Sequence, residues 1–149
     1  MHNERQMTST DNNRENSLDK FCHSIGQNWY HIVLVTYKRR RIFQWSITNS
    51  IAHLAIEEIC KKHSIDIFTK EVMDNHVHLF VYCPPQYFIR ELIRIIKGGS
   101  SYIIRRRYSS LKKYERTWTR GYMYRSLGSV SSEIVRKYID NSNTFKPTK

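Results

Sequence analysis

The stretch MDNHVHLFVYCPP (Met73–Pro85) decides the architecture, because its apolar residues alternate. Successive side chains of a strand point to opposite faces, so every second residue shares one. Met73, Asn75, Val77, Leu79, Val81 and Cys83 form the natural core face. Asp74, His76, His78, Phe80 and Tyr82 form the other. His76 and His78 therefore point the same way, roughly 6–7 Å apart along the strand. Asp74-Asn75 marks a turn inside the longer extended region Ile65–Cys83, which predicts two adjacent antiparallel strands. Pro84-Pro85 ends the second, since proline cannot donate to a ladder. Two readings of the histidine pair stay open here. They pack on the sheet, or they ligate a divalent ion, for which neutral imidazole is suited. His-x-His alone is a weak signal, and two ligands leave a site incomplete.

Upstream, WYHIVLVTY (Trp29–Tyr37) is rich in β-branched and aromatic residues and predicts a buried strand. Lys38, Arg39, Arg40 and Arg41 follow at once, either as a solvated loop or as phosphate contacts. Ile47, Ile51, Leu54, Ala55 and Ile59 recur at helical spacing and predict an amphipathic helix over Thr48–His63 with that stripe in the core. Downstream, Phe88, Leu92, Ile95, Ile96 and Ile103 predict a second helix over about Gln86–Arg107, closed by Arg105, Arg106 and Arg107. Gly98-Gly99 either breaks it or permits a close approach. A polar, basic connection runs over Tyr108–Arg120, and GYMYRSLG (Gly121–Gly128) is a short strand bracketed by glycines. A last helix spans about Ser131–Asn141, with Ser131 as N-cap and Glu133 in its first turn.

The order is strand, helix, strand, strand, helix, strand, helix. Its first six elements predict an α+β fold: a ferredoxin-like or RRM-like antiparallel sheet with helices on one face. The seventh is an added C-terminal helix. That fold hosts many activities, so it does not name one.

With 149 residues the chain suits one domain with a real core. The expected organisation is a disordered arm over 1–24, a single domain over 25–142 and a tail over 143–149. There are 25 Lys and Arg against 13 Asp and Glu, a formal charge of +12. Such a balance favours a polyanionic partner, because each neutralised phosphate releases counterions. The 10 Tyr, 3 Trp and 6 Phe can stack on bases, which points to nucleic acid. Cys22, Cys60 and Cys83 have neither CxxC spacing nor an even count, against a cysteine zinc site and a disulfide-built secreted domain. Met1–Lys20 is polar, unlike a signal peptide or a membrane span, so a cytoplasmic location is expected.

In EIVRKYIDNS (Glu133–Ser142), Tyr138 lies one turn after Ile134, and Asn141 or Ser142 one turn after Tyr138. Residues three or four apart share a helix face, so a phenol and a neutral oxygen ligand stand together. A tyrosine packing its ring on the sheet is the plain alternative. Taken with WYHIVLVTYKRRRIF, MDNHVHLFVYCPP, IKGGSSYIIRRRY and WTRGYMYRSLGSVSSEIVRKYID, the chain resembles the short single-tyrosine transposases of the IS200/IS605 type. These belong to the HUH (His, hydrophobe, His) class. The resemblance covers about Trp29–Asn141, and its specific part is His-Val-His with a late helical tyrosine.

The resemblance implies that His76 and His78 bind Mg²⁺ or Mn²⁺ and that Tyr138 is the nucleophile. Single-stranded DNA would be cleaved through a 5′-phosphotyrosine link, and a second strand's 3′-OH would reverse the step. It also implies hairpin recognition and a homodimer, with the tyrosine helix of one subunit completing the histidine site of the other. Lys38, Arg39, Arg40, Arg41, Lys97, Arg105, Arg106 and Arg107 are then the candidate DNA contacts. The family places a glutamine one turn after the tyrosine as third ligand. Ser142 stands there, with Asn141 just before it, so Asn141 or Ser142 is the candidate third ligand. A related alternative is a domesticated single-tyrosine nuclease that processes chromosomal repeats. From a different class, a non-catalytic RRM-like nucleic-acid-binding module would need neither Tyr138 nor a metal.

Overall fold

The computed structural model describes residues 28–127, together with the backbone of Asp19–Phe21 (β1) and Ser24–Gly26 (β2). The rest of the expected arm, the helix about Ser131–Asn141 and the tail over 143–149 lie outside the described residues. Two compact units divide the chain: Asn28–Ser126, and Met1–Gln27 with Leu127–Lys149. In the second, β1 and β2 pair antiparallel, with Lys20 opposite Ile25. β1 thus falls within the arm expected over 1–24, and β2 straddles its end. Three-residue strands are too short to carry a legible alternation.

The first unit is built on β3 (Trp29–Val35), α1 (Ser46–Lys62), β4 (Ile67–Val72), β5 (His76–Tyr82), α2 (Ile89–Arg107) and β6 (Met123–Leu127). The sheet order is β4-β5-β3-β6, which is the ferredoxin-like order expected of a split βαβ unit. β5 lies between β4 and β3 and is antiparallel to both. Ile32 and Leu34 of β3 join Val77, Leu79, Val81 and Cys83 in one cluster with Ala52, Ala55 and Ile56 of α1 and Leu92, Ile93 and Ile96 of α2. Both helices thus cover the face that alternation assigned to the core.

The helix stripes are rotated from those expected. On α1, Ala55 and Ile59 are buried as expected, but Ile47 is 56% exposed and Leu54 49%, and Ala52 and Ile56 are fully buried instead. Gly99 sits in the middle of an unbroken α2, and a Cβ there would stand 2.3 Å from Cδ1 and Cγ1 of Ile59. The small residue is thus on α2, where it makes room for Ile59 of the expected α1 stripe. On α2, Phe88 precedes the helix and is exposed, its backbone N–H donating to Glu91 Oε2 at 3.4 Å.

The 36–43 loop is fastened to the turn before β5. Thr36 donates its N–H and its hydroxyl to the Asn75 carbonyl (2.9 and 3.0 Å), and Phe43 N–H donates to the Asp74 carbonyl (2.9 Å). Arg41 adds Nη2–H and Nε–H bonds to Asp74 Oδ2 at 2.6 and 3.1 Å. Lys38 and Arg39 take left-handed backbone angles in this loop (φ 54° and 53°). Beyond α2, Thr36 bridges to Trp118, and Thr119 N–H donates to the Val35 carbonyl, so 117–119 runs beside the end of β3.

Candidate functional site

The sheet face away from the helices carries three histidines, not two. Cross-strand register sets Val35 opposite His76, Val33 opposite His78 and His31 opposite Phe80. His31 is therefore the diagonal neighbour of His78, within reach of a long side chain. The His31 Nε2 and His78 Nδ1 atoms lie 3.1 Å apart, a hydrogen bond. The His76 and His78 rings stand edge to face with centroids 5.0 Å apart. His31 stacks on Phe80 at 4.5 Å, nearly parallel. This face is withdrawn from solvent: His31 and His78 are each 2% exposed, and Phe80 and Tyr82 are buried beside them.

Burial sets the charge of these rings. It lowers His31 to about 4, with Arg125 adding to the effect, and lowers His78 to about 4, with His76 and His31 adding to it. His76 is lowered as well, by burial, against an opposing pull from Asp74. All three are neutral at pH 7, the form that can donate a lone pair to a metal. His76 Nδ1 lies 2.7 Å from Asn75 Oδ1, an oxygen that can only accept. The proton of His76 is thus on Nδ1, and Nε2 carries the lone pair.

On the other flank of His78, Glu71 of β4 is its register partner. Glu71 Oε2 is buried and has no hydrogen-bond donor among the described residues. Still, no three His, Cys, Asp or Glu side chains among the described residues converge closely enough to hold a metal alone. His76 and His78 fit a divalent cation as part of a ligand set that needs further oxygen donors. Tyr138, Asn141 and Ser142 lie outside the described residues. Cys60 and Cys83 are buried free thiols on the core side, and burial pushes Cys60 up to about 12, so they are inert.

The expected basic contacts separate by their partners. Lys38 and Arg39 are exposed in the left-handed loop. Arg40 lies over the Tyr114 ring at 4.4 Å and near Tyr37 at 5.9 Å. Arg116 lies 5.9 Å from the same Tyr37 ring, and Tyr37 donates its hydroxyl to Glu115 at 3.1 Å. Two loops, joined where Tyr37 meets Glu115 78 residues on, thus form one patch of alternating arginine and tyrosine. Arg41, by contrast, pairs with Asp74, and Arg107 with Glu58 at 3.1 Å. Arg105 donates to the Glu115 carbonyl at 2.9 Å, and Arg106 to the Tyr102 hydroxyl at 3.2 Å. Lys97 points its ammonium at the carbonyls of Thr119 (2.6 Å) and Arg120 (3.0 Å), and burial lowers its pKa. Lys97, Arg105, Arg116 and Arg120 line one shallow groove of about 290 Å³.

Sequence reasoning missed His31, Tyr37, Tyr114 and Arg116. Strand alternation alone sets His31 on a face with Trp29, Val33 and Val35, and only the register with β5 brings that face beside His78. Tyr37 and Arg116 carried no local signal. No helix among the described residues is long and apolar enough to cross a membrane.

Comparison with known proteins gives a consistent result. The model of a family described as "Transposase IS200 like" matches residues 24–142. The transposase for insertion sequence element IS200 of Salmonella typhimurium is 26% identical over 108 residues, covering 70% of each chain. The ISDra2 transposase TnpA of Deinococcus radiodurans is 22% identical over 117 residues, 76% of this chain and 83% of that one. Among solved structures, a candidate transposase from Deinococcus radiodurans R1 superposes with a TM-score of 0.67 at 21% identity, over 83% of this chain and 97% of that one. A REP-associated tyrosine transposase bound to a REP hairpin superposes at 0.53 and 14% identity, over 83% and 68%. At such identities the two structures speak for the fold alone.

Proposed function

The chain belongs to the IS200-like transposase family, and from that premise we propose that it cleaves and rejoins single-stranded DNA through Tyr138. One observation carries the proposal: His76 and His78 stand side by side on one sheet face, both held neutral at pH 7 by burial. Neutral, paired imidazoles are what a metal-assisted phosphoryl transfer asks of a protein.

His76 and His78 would hold the divalent cation, Mg²⁺ or Mn²⁺, with Asn141 or Ser142 and water completing the set. When bound, such a cation polarises a phosphoryl oxygen and offsets charge developing on it. Imidazole is a better ligand for Mn²⁺ than for Mg²⁺, which prefers oxygen, so Mn²⁺ is the favoured choice in vitro. Tyr138 attacks the scissile phosphorus. Its phenol gives up a proton, an O–P bond forms to the 5′ phosphate, and the 3′ oxygen leaves as a hydroxyl. A second strand's 3′-OH reverses the same steps, so bond energy is conserved. The Arg40–Tyr37–Arg116–Tyr114 patch would hold phosphates and stacked bases of a hairpin. The active form would be a homodimer, each tyrosine helix completing the histidine site of the other subunit.

The test is covalent capture. The full chain is incubated with single-stranded hairpin DNA from the sequence flanking its gene and Mn²⁺, then run on a denaturing gel. A protein–DNA adduct is expected for wild type, with loss of at least 100-fold in Tyr138→Phe and His76→Ala. Equal adduct in wild type and Tyr138→Phe would remove Tyr138 from the reaction. DNA binding with no adduct under any metal would favour a non-catalytic module.

A further inference from the structure

His76 and His78 differ in what holds them. The Nδ1 of His76 faces an oxygen that can only accept, the Oδ1 of Asn75. The Nδ1 of His78 faces another imidazole nitrogen, the Nε2 of His31. That contact admits two proton arrangements. If His31 donates, the proton of His78 must sit on Nε2, and His78 cannot ligate a cation there. If His78 donates, its Nε2 carries the lone pair, as His76 Nε2 already does.

We propose that His31 is a positioning residue: its Nε2 accepts the Nδ1–H of His78, so that both histidines of the pair present Nε2 to the same divalent cation. This rests on the cation-binding reading of His76 and His78. His31 is well placed for the task. It is buried, its ring is sandwiched in register against Phe80 with an interplanar angle of 5°, and β3 pairs with β5 along the whole of both strands. The ring cannot swing away without breaking that stack. Metal-ligating histidines commonly give their second ring N–H to such a partner, which fixes tautomer and orientation. Asn75 plays the equivalent part for His76 from the turn that Thr36 and Arg41 hold in place.

The experiment uses the full chain, ¹⁵N-labelled in its imidazoles and free of metal at pH 7. Two-bond ¹H–¹⁵N correlations report which ring nitrogen bears the proton. His76 and His78 are both expected as Nδ1–H tautomers; a His78 proton on Nε2 overturns the assignment of His31 by itself. The second readout is Mn²⁺ affinity, from the free-ion electron paramagnetic resonance signal. His31→Leu is expected to release the His78 tautomer and weaken Mn²⁺ binding about 10- to 100-fold. His31→Gln, whose side-chain oxygen can take the same hydrogen, is expected to recover affinity to within a few-fold of wild type. A His31→Leu chain that binds Mn²⁺ like wild type also overturns the proposal. Wild type that binds no Mn²⁺ would overturn the cation reading itself, whereas failure of the DNA adduct alone would leave the tautomer result standing.

Discussion

Histidines buried on a sheet make stability depend on pH, and the direction follows from where the proton is refused. His31 and His78 stay neutral in the folded chain down to about pH 4, chiefly through burial. In the unfolded chain they protonate near the ordinary value of about 6.5. Between those limits the unfolded chain binds more protons, so stability is complete above about pH 6.5 and is lost as pH falls toward 4. His53 and His76 are lowered too and act in the same sense. Urea midpoints in chelator should therefore drop between pH 6.5 and 5, a window in which most carboxylates remain ionised. The two buried rings together should account for about 3 kcal/mol of that drop. A flat midpoint would mean that the histidine face is open to water. At this scale the sequence was half legible. Alternation along MDNHVHLFVYCPP put His76 and His78 on one face, whereas His31 became their neighbour through register, which no single strand's pattern specifies.

Helix α2 turns on two adjacent glycines that do opposite things. A Cβ at Gly98 would meet nothing within 4 Å, while one at Gly99 would run into Ile59 of α1. Gly98→Ala should therefore raise stability by about 0.5–1 kcal/mol, the gain in helix propensity alone. Gly99→Ala should lower it by about 1–3 kcal/mol, because Ile59 must leave its place between the helices. Chemical denaturation of the two variants reads the difference. In an Ile59→Ala background the Gly99→Ala penalty should vanish, as coupled neighbours are not additive. A penalty that persists there would place the strain elsewhere. From sequence, the pair Gly-Gly could be a break or a contact, since local propensity cannot see the neighbouring helix. The same limit explains the rotated stripe on α1. Periodicity found a helix at the right place and put Ala55 and Ile59 in the core, but Ile47 and Leu54 scored as core by hydrophobicity alone, whereas Ala52 and Ile56 are the residues buried.

Across the whole molecule, the charge of +12 in composition does not say which charges are offered to a partner. The fold uses several of them internally. Arg41 braces the turn before His76, Arg107 and Lys70 pair with Glu58 and Glu57, and Lys97 ties α2 to the carbonyls of 119–121. Such partners lie 13 to 49 residues away, which is why a run of arginines in sequence could not be sorted into contacts and struts. Lys38, Arg40 and Arg116 sit around Tyr37 and Tyr114, where cation and phenol alternate, the surface proposed for phosphates and bases. The two groups should separate in the salt dependence of single-stranded DNA binding. Each phosphate contact contributes a slope of roughly 0.7 in log K against log salt. Arg40→Gln with Arg116→Gln should flatten that slope by about 1 to 1.5, with the thermal midpoint little changed. Lys97→Gln should leave the slope as it is and lower the midpoint, because three backbone carbonyls lose their donor and the segment leading into β6 loses its tie to α2. If Lys97→Gln instead flattens the slope and spares stability, its ammonium leaves those carbonyls for DNA, and the groove beside Arg105 and Arg120 is the binding surface.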